Sequence, residues 1–377
     1  MSTLQGSRRG RTVRVWDLPT RVFHWTLVAL LLTALVTGFL LPQWWMGLHI
    51  AAGTGIVGLL AFRLIWAFYG PEYSRLASFV PRRRALWAYI RGLLFLRPPH
   101  HFGHNPLGSL MVLGLFAVVF ALMVTGFLVL GGEEKLGPLR NVLSYPVGNR
   151  MKSLHSLLSW IVLGMAVLHV AGVVATSRLF GERLVRSMIH GTKRIPAGVP
   201  VPRPRPAQPF RALTAFMLLA AAFAGGWWWL NSLPDRGWRP VVLIPAYQSA
   251  CGACHSAHHP SLLPAASWAR IMTSLDEHFG EDASLPEGQR LEIAAFLGAN
   301  ASETFDTEAA VRFRSQTPSE PLRITATDYW RRKHASVAPE VFARPRLGGK
   351  ANCGACHEDA DTGRFDDSRI HIPGGSS

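Results

Sequence analysis

Residues 22–62 read VFHWTLVALLLTALVTGFLLPQWWMGLHIAAGTGIVGLLAF, a stretch of 41 residues without one Asp, Glu, Lys or Arg. A helix rises about 1.5 Å per residue and the apolar core of a bilayer is about 30 Å thick, so the stretch is too long for one crossing and right for two. The break falls at Leu41-Pro42-Gln43, where proline cannot continue a helix. Helices are therefore expected over about 20–41 and 46–69. Further apolar segments of spanning length occur at 108–131, 153–176 and 211–231, which makes five spans. Composition agrees, with 49% hydrophobic and 16% charged residues; a soluble globular domain carries about 25% charged residues.

The formal net charge of +16 invites a nucleic-acid reading, and its distribution rejects it. Up to residue 230 there are 24 Lys and Arg against 5 Asp and Glu, whereas the tail has 15 against 18. The excess sits in the membrane part, in alternate connectors: Arg8, Arg9, Arg11, Arg14 and Arg21 before the first span, Arg82, Arg83 and Arg84 between the second and third, and Arg183, Arg186, Lys193 and Arg194 between the fourth and fifth. By the positive-inside rule these connectors and the amino terminus are cytoplasmic, and five spans place everything after Leu230 outside. The Ser7-Arg8-Arg9 start is only a weak twin-arginine pattern with no small-residue cleavage site after it, so the first apolar segment reads as an uncleaved helix.

All four cysteines fall in two copies of one pentapeptide, Cys251-Gly-Ala-Cys254-His255 and Cys353-Gly-Ala-Cys356-His357. In Cys-x-x-Cys-His the thiols add to the vinyl groups of a haem and the histidine becomes an axial ligand, so each copy reads as a c-type haem attachment site. A four-thiolate zinc site would not need the two histidines, and the pairs lie about a hundred residues apart, far beyond ribbon spacing. Thioredoxin-like chemistry lacks its strand-helix-strand setting. Both motifs fall on the outer side of the predicted topology.

Four histidines stand within predicted spans: His24, His49, His155 and His169. Taken singly, each reads equally well as a satisfied structural group or an end residue reaching for the interface. Together they form a pattern. His155 and His169 are separated by about 1400° of helical rotation, about 40° short of four turns, and by about 21 Å of rise, so they share a face at two depths. The alternation of spans sets His24 level with His169 and His49 level with His155. Each pair offers two imidazoles at one depth, as a six-coordinate b haem requires. Gly47, Gly53, Gly55 and Gly58 leave room beside the second helix, through haem space or through helix packing. His100, His101, His104 and His190 read as surface or interface polar groups.

The tail has one methionine, Met272, so bis-histidine ligation is favoured for the covalent haems. Besides His255 and His357 it holds His258, His259, His278, His334 and His371. His278 ends an amphipathic stretch, 268–279, in which Ile271, Leu275 and Phe279 recur at helical spacing. His334 follows Tyr329-Trp330, aromatic cover for a haem edge. His278 is assigned to the first haem and His334 to the second, with His258, His259 and His371 as alternatives. Apart from the duplicated haem motif no internal repeat is evident.

The run Val15-Trp-Asp-Leu-Pro-Thr-Arg-Val-Phe-His-Trp25, the segment Gly103-His-Asn-Pro-Leu-Gly108 and the histidines of the second and fourth spans resemble the bacterial cytochrome b561 family, related to the b-type cytochrome subunits of nickel-iron hydrogenases, over about residues 12–190. The resemblance implies a four-helix bundle with two b haems on His24, His49, His155 and His169, exchanging electrons with quinones. Cys251-Gly-Ala-Cys-His255, Leu262-Leu-Pro264, Glu277-His-Phe-Gly280, Arg331-Arg-Lys-His334 and Asn352-Cys-Gly-Ala-Cys-His357 are similar to the bacterial dihaem cytochrome c domain, over about residues 247–373. That likeness implies an electron carrier with bis-histidine haems.

The fold class expected is all-α: residues 1–190 form a four-helix transmembrane haem bundle, 191–210 a proline-rich cytoplasmic linker, 211–231 a fifth, tethering span, and 232–377 a small, mainly helical periplasmic dihaem c domain. Two b haems and two c haems then make an electron-transfer protein of the bacterial inner membrane, a component of a respiratory chain. Its expected partners are quinone or quinol, a soluble periplasmic carrier such as a c-type cytochrome, and the lipid bilayer, with no nucleic acid. The alternatives are a haem enzyme with an open coordination site and a hydrogenase-type subunit delivering electrons to quinone.

Overall fold

The computed structural model describes residues 11–99, 101, 103–195, 205–234, 237–315 and 322–373. The twin-arginine-like start, His100 and most of the proline-rich connector lie outside these residues. The chain divides into two compact units, one of residues 1–41, 48–126 and 153–226, the other of residues 42–47, 127–152 and 227–377.

A short ribbon edges the first unit, in which β1 (Arg11–Arg14) pairs antiparallel with β2 (Thr192–Ile195). The spanning helices are α1 (Leu18–Phe39), α2 (Met46–Tyr69), α4 (Pro106–Gly132), α5 (Tyr145–Phe180) and α7 (Pro209–Asn231). Between α2 and α4 lies α3 (Arg83–Leu94), and α6 (Leu184–His190) follows α5. All five long helices are apolar enough to cross a membrane, so the chain is a multi-pass membrane protein. Leu32, Leu64, Val167, Leu168 and Val170 are exposed along them, an arrangement that lipid tolerates and water does not. At the centre Ile56, Val119 and Val162 are buried against Leu27, Leu30, Leu31 and Leu35. The first turn of α7 packs Ala212 against Ile65 and Trp66 of α2.

Two sequence expectations need correction. The fourth span was expected over 153–176, yet α5 has 36 residues. Asn149, Arg150 and Lys152 are good or tolerable helix residues that a search for apolar stretches discards, so the helix runs beyond the length a bilayer demands. The basic stretch 82–97, read as part of a loop, contains α3, whose inner side carries Leu86, Tyr89, Ile90 and Leu93 at helical spacing.

The tail of the second unit is built of short helices: α8 (Pro245–Cys251), α9 (Ala265–Thr273), α10 (Glu287–Ala299), α11 (Glu308–Arg314), α12 (Asp328–Lys333) and α13 (Pro339–Phe342). Tyr247, Leu262, Trp268, Met272, Ile293, Leu297 and Phe313 form one buried core. Fully buried aliphatic side chains such as Ile293 and Leu297 contribute about 1.5–3 kcal/mol each. Thr307 and Thr327 cap α11 and α12 by accepting the N–H groups of Ala310 and Trp330.

Residues 127–152 belong to this same unit, and ionic and polar contacts fasten the tail to them. Lys135 Nζ pairs with Asp306 at 2.7 Å and donates to the Leu143 carbonyl at 2.9 Å. The same Asp306 oxygen accepts the Tyr145 N–H at 2.8 Å. Arg312 donates to the Tyr145 hydroxyl at 2.9 Å and to Asn149 at 3.0 Å, and Arg364 to the Lys135 carbonyl at 3.1 Å. Gly132 and Gly148 let α4 and α5 meet backbone to backbone, since a Cβ on Gly148 would lie 2.4 Å from the Glu133 nitrogen.

Candidate functional site

In the first unit His49, near the start of α2, faces His155 of α5 with ring centroids 6.2 Å apart and planes at 74°. A metal–imidazole bond is about 2 Å and a ring centroid lies about 1.2 Å behind its nitrogen, so two imidazoles sharing one metal stand about 6 Å apart. The structure therefore leaves one metal's width between these rings. His24 of α1 and His169 of α5 lie within electrostatic range of each other at the other end of the bundle.

The His49–His155 pair is fixed by a repeated segment. Val36-Thr-Gly-Phe-Leu40 near the end of α1 recurs as Val124-Thr-Gly-Phe-Leu128 in α4, so the chain does hold a second internal repeat. Thr37 Oγ1 lies 3.1 Å from His49 Nδ1, and Thr125 Oγ1 lies 2.9 Å from His155 Nδ1. Both hydroxyls donate backwards along their own helix, Thr37 to the Thr33 carbonyl and Thr125 to the Ala121 carbonyl, each at 2.8 Å. Their oxygens are thus left to accept from Nδ1–H. His49 Nδ1 also lies 3.0 Å from the Ala34 carbonyl, which can only accept. The proton belongs on Nδ1 and the bare Nε2 is the free ligand position. The glycine of each repeat lies beside its ring, where a Cβ would stand 3.4 Å from Cε1 of His49 or His155.

Around α2, Gly53 shares the face of His49, one turn away, whereas Gly47 and Gly58 lie on the opposite face. A Cβ on Gly47, Gly53 or Gly58 meets nothing within 4 Å, whereas one on Gly55 would press on Leu30 at 2.8 Å. Of the four glycines, only Gly55 is used for tight packing. At the other end of the bundle His24 Nδ1 and Arg63 Nη1 are buried without hydrogen-bond partners among the described residues, and Arg63 lies over the Phe79 and Phe116 rings. His104 is wedged against Trp16 and Phe79, with centroids at 4.7 and 5.0 Å, the interface alternative among its expected readings. Burial, then the nearby charges of Lys193 and Arg63, hold its pKa down to about 3.

In the tail the rings of His255 and His278 stand 6.4 Å apart at 22°, and those of His334 and His357 stand 6.1 Å apart at 71°. His255 Nδ1 meets the Ser256 carbonyl at 2.8 Å, and His334 Nδ1 meets the Trp330 carbonyl at 2.8 Å. A carbonyl can only accept, so both rings again carry the proton on Nδ1 and present Nε2. Trp330 stacks on His334 at 4.2 Å. Burial lowers the pKa of His278 and of His334, and burial followed by His334 and Lys333 brings His357 to about 4. Burial thus favours the neutral form of these imidazoles, the form that binds iron. Burial likewise raises the thiols of Cys251 and Cys353 to about 11, while Cys254 is exposed and Cys356 half-buried.

The local structure differs from expectation at His278. Helix α9 stops at Thr273, and His278 sits in a tight reverse turn where its N–H donates to the Glu281 carbonyl at 2.8 Å. Phe279 at φ +54° and Gly280 at φ +100° make that turn. The helical spacing of Leu275 and Phe279 is coincidental, because Ala283 takes the Leu275 carbonyl and Phe279 is exposed under Arg323. Among the alternatives, His259 is fully buried and bonded through Nδ1 to Ser261. His258 stacks 4.9 Å from His255, too close for an intervening metal, and its Nδ1 lies 3.9 Å from Cys353 Sγ. His371 is exposed, and its backbone N–H bonds to the Cys356 carbonyl.

Comparison with known proteins separates the same two regions. Residues 15–191 match the family model for prokaryotic cytochrome b561, and residues 247–365 that for dihaem cytochrome c. An Escherichia coli K12 protein named "Probable Ni/Fe-hydrogenase 1 B-type cytochrome subunit" is 27% identical over 208 residues, 47% of this chain and 88% of that protein. A dihaem cytochrome c from Rhodobacter sphaeroides is 39% identical, covering 33% of this chain and 98% of that one, with a TM-score of 0.29. The dihaem cytochrome c of Shewanella baltica OS155 is 30% identical over 34% of this chain and 93% of its own, with a TM-score of 0.28. The chain is thus a membrane electron-transfer cytochrome, whose residues 15–191 match the prokaryotic cytochrome b561 family and whose residues 247–365 match the dihaem cytochrome c family.

Proposed function

We propose that this cytochrome carries electrons between the quinone pool and a soluble periplasmic carrier. The bundle, residues 1–190, would hold two b haems, one between His24 and His169 and one between His49 and His155. The tail, residues 232–377, would hold two c haems, one on Cys251 and Cys254 with His255 and His278 as axial ligands, the other on Cys353 and Cys356 with His357 and His334. When bound, the haems supply one-electron redox chemistry, with potentials below those of a His/Met cytochrome c.

The observation that carries this reading is the recurrence of one geometry: three imidazole pairs at 6.1–6.4 Å. At least one ring of each pair has its Nδ1 proton tied up, leaving Nε2 toward the gap. The chain's own groups orient the ligands, keep them neutral and exclude water. Trp330 and Phe342 cover His334, Phe365 covers His357, and Arg63 is a buried cation suited to a haem carboxylate. His258, between His255 and the Cys353 sulfur, joins the two attachment sites through contacting groups. Arginine-rich connectors favour a cytoplasmic amino terminus in the bacterial inner membrane, residues 191–210 as a cytoplasmic linker, the span ending in Trp227-Trp-Trp229 as a tether, and the tail in the periplasm. Outward electron flow then runs with an inside-negative potential, favourable by about 2.3 kcal/mol per 100 mV for each charge crossing.

A reduced-minus-oxidised spectrum with a pyridine haemochrome assay on the purified protein tests the reading. Two b and two c haems, all low-spin, are expected. One b haem or none would overturn the histidine pairing, and a high-spin component would favour a ligand-binding haem enzyme.

A further inference from the structure

We propose that α3 and the turn after it form a binding site for anionic phospholipid headgroups. One side of α3 packs on the protein through Tyr89, and the opposite side presents Arg83, Arg84, Trp87 and Arg91. Trp87 is 65% exposed, and Leu94, Phe95 and Leu96 are 78%, 72% and 65% exposed. Arg83, Arg84, Trp87, Arg91, Phe95 and Arg97 border an open groove of about 650 Å³, with Leu94 and Leu96 exposed beside it. The connector 70–105 has one acidic residue, Glu72, which lies near Arg205. None of Arg83, Arg84, Arg91 and Arg97 has an ion-pair partner among the described residues. Only 36 residues separate α2 from α4, so this segment lies at the bilayer surface whichever side it faces. Guanidinium forks match phosphate oxygens. A tryptophan beside exposed Leu and Phe matches the boundary between headgroups and acyl chains. Four unpaired arginines around an apolar tip therefore select a lipid that brings both a negative charge and a hydrocarbon chain.

The test uses the full-length protein in vesicles that contain brominated phosphatidylglycerol or, separately, brominated phosphatidylcholine at equal mole fraction. Trp87 is read as the fluorescence difference between wild type and Trp87→Phe. Quenching about fivefold stronger with the anionic lipid is expected, the factor one well-placed basic residue supplies at an anionic surface. It should vanish when Arg83, Arg84, Arg91 and Arg97 are all changed to Gln, with the haem spectrum unchanged. Equal quenching by both lipids, or none, overturns the proposal. Reversal by added inorganic phosphate also overturns it, assigning the groove to a free anion.

The repeated Val-Thr-Gly-Phe-Leu segments carry a second, independent inference, which rests on the haem assignment of His49 and His155. We infer that Thr37 and Thr125 are positioning residues that set the tautomer and basicity of those imidazoles. An acceptor on Nδ1–H makes the ring a stronger donor and stabilises oxidised iron. Thr37→Val or Thr125→Val should therefore raise the midpoint potential of one b component while the other three stay in place, and the Ser variants should restore it. No shift with both b haems retained, or a shift of all four components, overturns the inference. Absence of a second b haem from the wild type would instead overturn the assignment beneath it.

Discussion

The two units hold their histidine pairs by opposite means. In the bundle, His155 and His169 share one face because of helical rotation, and the partner of each pair comes from another long helix. Every functional position is a matter of depth and face. In the tail, ligand candidates sit where regular structure stops: His278 in a reverse turn, His334 one residue past α12, His255 and His357 at the ends of their motifs. The bundle leaves large apolar side chains outside and packs through small residues, whereas the tail buries Tyr247, Trp268, Ile293 and Leu297 in a conventional core. A membrane lends rigidity to long helices, and a small domain in water must use caps, turns and, in this family, covalent haem.

The sharpest way to break that comparison is to remove one ligand from each region. His155→Ala should cost the bundle one whole b haem, since His49 alone would then hold a group that has no covalent attachment. His334→Ala should leave both c haems attached through their thioethers and turn one of them high-spin. Haemochrome stoichiometry read beside the visible spectrum separates the outcomes, and loss of a c haem from the second variant would erase the contrast.

The fastening within the second unit is next in size. Asp306→Ala leaves the buried Lys135 ammonium and the Tyr145 N–H without their shared acceptor. Lys135 keeps the Leu143 carbonyl and Asp306 is partly exposed, so the cost should fall below the roughly 3–5 kcal/mol of a fully buried pair. Thermal unfolding followed by c-haem absorbance should register that loss, and limited proteolysis should find residues 127–152 newly accessible. Unchanged melting would mean that Arg312 and Arg364 suffice.

Glycine contrasts test packing inside the helices. Gly148→Ala must push a methyl group to 2.4 Å from the Glu133 nitrogen, an overpacking of about 1–3 kcal/mol. Gly172→Ala, with open space around it, should be neutral or stabilise by up to about 1 kcal/mol. Equal melting temperatures for the two variants would contradict the close approach of α4 and α5.

The smallest effect concerns acid. The folded-state pKa of His104 is depressed to about 3, chiefly by burial. A depressed histidine contributes stability that is present above its ordinary value of about 6.5. That contribution fades as pH falls toward the folded value, because the unfolded chain takes up the proton first. The melting temperature of the wild type should therefore drop more between pH 7 and pH 5 than that of His104→Phe, and parallel slopes would remove His104 from the acid response.

Much of this was legible beforehand. The five spans, both Cys-x-x-Cys-His motifs and the four bundle histidines follow from length, charge and a period of 3.6, all properties of neighbouring residues. What escaped was of another kind. The Val-Thr-Gly-Phe-Leu repeat was visible as text, yet its meaning depends on Thr37 reaching His49 and Thr125 reaching His155 across helices. The end of α9 at Thr273 was hidden because Leu275 and Phe279 mimic a helical stripe, and the hydrogen bond from Ala283 decides otherwise. Helix α3 was obscured by its arginines, which dominate a reading by charge.

The sequence by itself determined that the chain has five segments long and apolar enough to cross a membrane, two Cys-x-x-Cys-His motifs and four histidines at helix positions within those segments, because hydropathy, motif chemistry and helical rotation are local. Only the tertiary structure decided which tail histidine faces which, what fixes the imidazole tautomers, and which loops hold the tail. Those depend on contacts between residues far apart in sequence, 171 positions for Lys135 and Asp306 and 229 for Lys135 and Arg364, and no local rule reaches that far.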